Sequence, residues 1–211
     1  MTKEDFKILY EKRRTVRKFL SDPVPDSDVE YIIDAARLAP TGMNNQNWRY
    51  IAIRNKDLLY KMADTVEESL RSSYYQKIDD EAVIKKIEAF KFYYTFFKDA
   101  PLVIACIGWK AGSFLTPIIE KYNLNPSYGE MVDPDILTLG GAIENAILAA
   151  TVLGYGSAWL TGPVRHQKPL EKLLNIEAPE HLISVIAVGK PAKEIKGPPK
   201  KSLDEILSYI N

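Results

Sequence analysis

The 211 residues are enough for one domain with a sizeable core, and 46% hydrophobic with 27% charged residues is a globular composition rather than a disordered one. The 28 basic and 28 acidic residues cancel, so no global field draws the chain to nucleic acid or an anionic membrane, and neither is expected as a partner. One cysteine, Cys106, excludes an intrachain disulfide, a CxxC redox pair and an iron–sulfur cluster held by one chain; His166 and His181 are the only histidines, and no metal site is expected.

The N-terminus, MTKEDF, lacks the apolar run of a secretory leader, and no apolar stretch reaches the roughly 20 residues of a membrane span, so a cytoplasmic location is expected. Phe6, Leu9 and Tyr10 fall at helical spacing in a first helix that ends near Lys12-Arg13-Arg14. A turn at Asp22-Pro23 leads to a second helix. Ser27 and Glu30 are spaced as a capping box for it, and Val29, Ile32, Ile33 and Ala36 make its apolar stripe. Pro40 stops this helix, because proline disfavours helical geometry in the residue before it. A polar segment from Thr41 to Asn47 precedes a strand from Trp48 to Ile53.

Leu59, Met62, Val66 and Leu70 mark a third helix, and Val83, Ile87, Phe90, Tyr94 and Phe97 a fourth, whose second half is aromatic. Pro101 introduces the continuous apolar run from Leu102 to Ile107, of strand length, which implies burial on both faces. The stretch from Gly108 to Pro134, with Trp109, Phe114, Tyr122 and Tyr128, is too long for a simple connector; such segments form lids or carry short helices. Ile136 to Leu153 is the most apolar helix. Its small residues, Gly140, Gly141, Ala142, Ala146, Ala149 and Ala150, permit close approach of another helix, nearly every face wants cover, and Gly154 is placed to end it. A strand at 157–160, a helix around 170–174 and a strand at 183–188 follow. Pro198-Pro199-Lys200-Lys201 leads to a last helix capped by Ser202 and Glu205. No repeat or composition break divides the chain, and helices and strands alternate too irregularly for a regular βαβ wind. The fold class is therefore α+β.

Several chemistries are excluded by pattern. Gly154 and Gly156 supply two glycines of a dinucleotide fingerprint, but Trp159 stands at the third position and a helix precedes them. There is no phosphate-loop spacing and no nucleophile elbow, and Cys106 lies mid-strand among apolar residues, where a thiol is inert packing. A bound cofactor is the remaining route to chemistry.

Three segments bear on which cofactor. Arg13, Arg14, Thr15 and Arg17 offer forked donors and a hydroxyl to a phosphate, although basic residues also complement the negative end of a helix. Pro40-Thr41-Gly42-Met43-Asn44-Asn45-Gln46-Asn47 is rich in carboxamides, which answer both donors and acceptors on the pyrimidine edge of a flavin; the same composition also suits a plain loop. Gly154 to Pro163 brings glycines whose backbone could approach a ligand closely, or could simply cap a helix and turn.

In this order the segments resemble the FMN-dependent nitroreductase family over nearly the whole chain. The basic-Ser/Thr-x-basic-x-aromatic motif is matched at Arg13 to Phe19, and the Pro-Ser/Thr-x-x-Asn-x-Gln-Pro-Trp segment at Pro40, Thr41, Asn44, Gln46 and Trp48. Asn47 replaces the usual proline, a change expected to alter the turn more than the contacts. The small-residue helix, the Gly-x-Gly-Ser at Gly154, Val188-Gly189-Lys190-Pro191 and the late lysines also look like the family.

The resemblance implies one nitroreductase-like domain over 1–211. Its mainly antiparallel sheet would be flanked by helices, within an intertwined homodimer whose extension at about 195–211 wraps the partner. It also implies tightly bound FMN, with NAD(P)H as reductant and a nitroaromatic, quinone or similar small molecule as acceptor, in a ping-pong cycle. Arg13, Arg14 and Thr15 would hold the phosphate or ribityl chain, with Lys200 or Lys201 completing the site, and Arg17 would lie near N1 and O2 of the ring. Pro40, Thr41, Gly42, Asn44 and Gln46 would belong to the cofactor site, the last four reaching the ring from the partner, and the Thr161–Gly162 backbone would face N5. No side chain is expected as a catalytic acid or base. Related flavoproteins carry out reductive dehalogenation, flavin fragmentation or ring dehydrogenation, and a flavin-binding module without turnover is the non-enzymatic alternative.

Overall fold

The computed structural model describes residues 2–124 and 133–210. It contains helices α1 (Lys3–Lys12), α2 (Asp26–Arg37), α3 (Lys56–Ser73), α4 (Glu81–Thr95), α5 (Thr116–Tyr122), α6 (Pro134–Val152) and α7 (Gln167–Leu173). The strands are β1 (Trp48–Ile53), β2 (Leu102–Gly108), β3 (Gly156–Leu160) and β4 (His181–Gly189), in one antiparallel sheet of order β1-β2-β4-β3. The chain is α+β, as its alternation pattern implies. Of the long segment after β2, α5 accounts for part, and Tyr128 lies outside the described residues.

Strand β2 shows how the layers form. Every one of its residues is buried. Side chains alternate across a strand, so Val103, Ala105 and Ile107 face one core while Leu102, Ile104 and Cys106 face the other. The first core is closed by α3 and α7, with Leu59, Met62, Val66 and Leu170 among its buried residues; the second is closed by α2 and α6 through Ile32, Leu139, Ile143 and Ile147.

Two helix starts differ from the sequence reading. Ser27 does not cap α2, which already begins at Asp26 behind Pro25; the proline's φ of −60° and ψ of 156° set the extended entry, and Asp26 and Asp28 supply favourable charge in the first turn. The box forms instead at α1, where Thr2 and Asp5 exchange hydrogen bonds. The Ser202–Glu205 capping box is present, but it caps a single 3₁₀ turn, Leu203–Glu205.

Helix α4 departs further. It ends at Thr95, and a 3₁₀ turn over Phe96–Asp99 swings Phe96 and Phe97 into the core at 2% and 0% exposure, while Phe90 stays 60% exposed. Helix α6 is, among the described residues, the one helix long and apolar enough by length and composition to cross a membrane. Its inner face packs on α2 and the sheet through Leu139, Ala142, Ile143, Ala146 and Ala150, and Asn145 donates to the Ala35 carbonyl at 3.2 Å. Ile136, Leu137 and Val152 on the outer face remain exposed. At its end, the Gly154 and Tyr155 amides return to the Thr151 and Ala150 carbonyls at 3.1 and 2.9 Å, closing the helix as the glycine position predicts.

Candidate active site

The site begins with the way Arg13 to Arg17 docks on β3. Thr15 bridges Ser157 in parallel, and the Val16 amide donates to the Ser157 carbonyl at 2.9 Å. Gly156 makes this possible, because a β-carbon there would stand 2.2 Å from Val16 Cγ2. An extended segment alternates its side chains. Thr15 and Arg17 therefore face one cavity, of about 350 Å³, and Arg14 and Val16 another, of about 560 Å³.

The first cavity joins Thr15 and Arg17 to Thr161 and Gly162, so two of the three sequence segments meet there. Its walls are aromatic: Phe90, Tyr93, Tyr94 and Phe96 from the α4 region, and Trp159 from β3. The Arg17 guanidinium lies over the Tyr93 ring at 5.3 Å from its centroid. Tyr94 packs closely against Gly162, where a β-carbon would come within 2.7 Å of the ring. Among the described residues, no carboxylate lines this cavity. Arg165, from the 3₁₀ turn Pro163–His166, adds a second guanidinium at its edge.

Arg14 is elsewhere. Its Nη1 donates to the Glu11 and Arg13 carbonyls at the end of α1, and its Nε is buried without a partner among the described residues. This is the helix-terminus role that its position also allowed. It lines the larger cavity with Lys12, Lys193 and Ile195, and the tail passes it closely, since a β-carbon on Gly197 would lie 3.0 Å from Arg14 Nε. Arg13, half-buried, ends α1. Lys200 and Lys201 are exposed on the tail and line neither cavity.

Pro40, Thr41, Gly42, Asn44 and Gln46 are likewise not brought to Arg17 within one chain. They form a tight turn, Gly42–Asn44 being 3₁₀, with Met43, Asn44 and Gln46 at positive φ and the Gln46 amide donating to Thr41 Oγ1 at 3.2 Å. Asn47 does more than alter the turn. Buried at 4% exposure, its Nδ2 donates to the Trp109 carbonyl and, at 2.8 Å, to Asp135 Oδ1, tying the turn to the exit of β2 and the start of α6. The sequence reading missed this role, and a carboxamide in place of a proline was the available signal. Tyr94 reads from its spacing only as part of a helical stripe, and Tyr93 and Arg165 carry no local signal of a site.

Groups outside the cavity offer little nucleophilic chemistry. Cys106 is fully buried, and burial pushes its thiol well above the ordinary range, so it stays protonated.

Comparison with known proteins agrees with this architecture. Iodotyrosine deiodinase of Nematostella vectensis is 28% identical over 93% of this chain and 71% of its own length. A protein of Archaeoglobus fulgidus named "Putative NADH dehydrogenase/NAD(P)H nitroreductase" is 29% identical over 90% of this chain and 87% of its own. Among solved structures, a BluB-like flavoprotein from Clostridium difficile 630 superposes with a TM-score of 0.85 at 29% identity, covering 98% of this chain and 99% of that one. The family model described as "Nitroreductase family" matches residues 10–190, from the end of α1 to the end of β4, and the chain belongs to that family.

Proposed function

We propose that this chain is an FMN-dependent oxidoreductase that uses NAD(P)H to reduce small electrophilic acceptors such as nitroaromatics or quinones, working as a homodimer. The observation that carries the reading is the convergence of Thr15, Arg17, Thr161 and Gly162 in one aromatic-walled cavity that no acidic group lines among the described residues. These residues fit the cofactor. A hydroxyl and a guanidinium suit an anionic ligand, and aromatic walls suit a planar ring. When bound, FMN would supply the two-electron chemistry, accepting hydride from the nicotinamide and passing it to the acceptor. The chain's own part is to bind and orient. Arg17 brings positive charge beside the ring site, the Thr161–Gly162 backbone offers a close approach, and Phe90, Tyr93 and Tyr94 wall one side.

The dimer reading rests on surfaces that one chain leaves open. The outer face of α6 exposes Ile136, Leu137 and Val152, and the tail exposes Leu203, Ile206, Tyr209 and Ile210. The Thr41–Gln46 turn, which does not line the cavity of its own chain, would complete the partner's. The segment from about 195 would wrap the partner, with 1–211 forming one domain, and Arg13, Arg14, Lys200 and Lys201 would gather around the phosphate once the second copy is in place.

The test is to purify the chain, record its visible spectrum and mass in solution, and bleach it anaerobically with NADH and with NADPH before adding an acceptor. A yellow dimer, bleached by at least one nicotinamide and reoxidised by a nitroaromatic, is expected. A colourless protein that refuses added FMN, or a flavin-loaded monomer at micromolar concentration, overturns the reading. Bound flavin that neither nicotinamide bleaches would favour a binding module. The similarity to an iodotyrosine deiodinase over 93% of the chain supports a second reading, reductive dehalogenation of an aromatic ring, which halide release from a halophenol under the same conditions would reveal.

A further inference from the structure

The proposed oxidoreductase leaves its acceptor undefined, and the cavity around Arg17 carries chemistry that narrows it. The chain as a whole is electrically balanced, with 28 basic and 28 acidic residues, yet this cavity is not. Two guanidiniums, Arg17 and Arg165, line it, and among the described residues no Asp or Glu does. Among the described residues neither forms a salt bridge, although seven other such bridges are present. Arg17 rests on Tyr93. No hydrogen bond or ring contact is found for the exposed Arg165 side chain among the described residues.

The remaining wall is built for a flat apolar ring. Phe90 and Tyr93 lie 5.7 Å apart between centroids, tilted by 40°, and Phe90, Tyr93 and Trp159 keep 60%, 47% and 43% of their surface exposed. Aromatic side chains left open beside a cavity gain most from stacking against another ring. A guanidinium without a protein anion beside it is open to donate forked hydrogen bonds to an anion delivered there.

We infer that the preferred acceptor is a planar aromatic compound carrying an anionic substituent, a carboxylate or phenolate, with Arg165 as the residue that reads the anion. The inference rests on the oxidoreductase reading above, with Arg17 kept for the cofactor and Arg165 left for the acceptor. The phosphates of the reduced nicotinamide share the same anionic chemistry, and the experiment separates the two sources.

Flavin loading is measured first, by visible absorbance, for wild type, Arg165→Gln and Arg165→Lys. Binding of 4-nitrobenzoate and of its neutral near-isostere 4-nitrobenzamide to the oxidised protein is then followed by perturbation of the flavin spectrum. Anaerobic reduction by NADH and by NADPH is timed separately. Wild type is expected to hold the benzoate at least about tenfold more tightly than the benzamide, a preference lost in Arg165→Gln and largely restored in Arg165→Lys. A protein that carries no flavin defeats the oxidoreductase reading and this inference with it. A loaded, bleachable protein whose benzoate preference is absent, or survives Arg165→Gln, overturns this inference alone. So does an effect of Arg165→Gln confined to reduction by NADPH, which would assign the arginine to the donor's phosphate.

Discussion

Strand β2 and helix α4 are both dense in apolar residues, yet they have opposite fates. Every residue of β2 is buried, because helices cover both faces of its sheet and each alternate side chain finds a core. Helix α4 has Thr95 as its one buried residue among the described side chains, and its rings at Phe90 and Tyr93 stay open beside the Arg17 cavity. Hydrophobicity alone does not say which surface is structural. What lies opposite decides. Where a second apolar layer faces the side chains they make the core; where a cavity lined by guanidiniums faces them, they become candidate walls of a site.

The largest effect expected from this contrast separates two phenylalanines seven residues apart in sequence. Phe97→Ala empties a fully buried position and should cost about 3–5 kcal/mol in unfolding free energy. Phe90→Ala, at a position 60% exposed, should stay within about 0.5 kcal/mol of wild type while loosening acceptor binding several-fold. Denaturant melts of both variants, with binding titrations of the second, check the pair. A large loss of stability from Phe90→Ala would erase the distinction between core and wall.

Gly156→Ala comes next, at the seam between the two regions. Its added methyl would meet Val16 at 2.2 Å and, on the other side, Pro191 at 3.1 Å, so the Arg13–Arg17 segment has to lift from β3. Overpacking of this kind costs about 1–3 kcal/mol. FMN affinity is expected to fall at least about tenfold, because Thr15 and Arg17 move with the segment. Equilibrium dialysis of flavin against the folded variant reads this out, and unchanged affinity would remove those residues from the proposed cofactor site.

These contrasts also mark what the sequence made legible. Strand β2 could be read because its apolar run is unbroken behind Pro101, and the end of α6 because Gly154 follows its last turn. The basic cluster at Arg13 to Arg17 could be read as a set of donors, but not its sidedness. That is decided by the Thr15–Ser157 bridge, a pairing between distant parts of the chain that sends Arg14 to one cavity and Arg17 to another. The break after Thr95 was hidden because Phe97 continues the helical spacing of Phe90 and Tyr94, whereas the demand of the core for Phe96 and Phe97 is tertiary. Arg165 carried no local signal. Its interest comes from a cavity lining that holds no carboxylate among the described residues, which only the assembled cavity reveals.

The smallest expected effect concerns a polar tie beside the same seam. Tyr155 follows the cap of α6, and its hydroxyl donates to Asp28 Oδ2 at 2.6 Å, linking the end of α6 to α2. Burial, and then the Asp28 carboxylate, push its pKa up to about 12 from an ordinary value near 10. The fold holds this proton more tightly than the unfolded chain does. The contribution of Tyr155 is therefore complete below about pH 10 and declines as the pH rises toward about 12. Tyr155→Phe should cost about 1–2 kcal/mol near neutral pH, where it removes the donor and leaves Asp28 short of a partner. Above pH ~10 the gap between variant and wild type should narrow, because phenylalanine has no proton to lose whereas the wild-type phenol is driven to ionise beside a carboxylate. Urea melts of both proteins at neutral and alkaline pH measure the gap directly. A gap that widens with pH would show that the hydroxyl is not the donor in this pair, and the link between α6 and α2 would then rest on packing and on Asn145 alone.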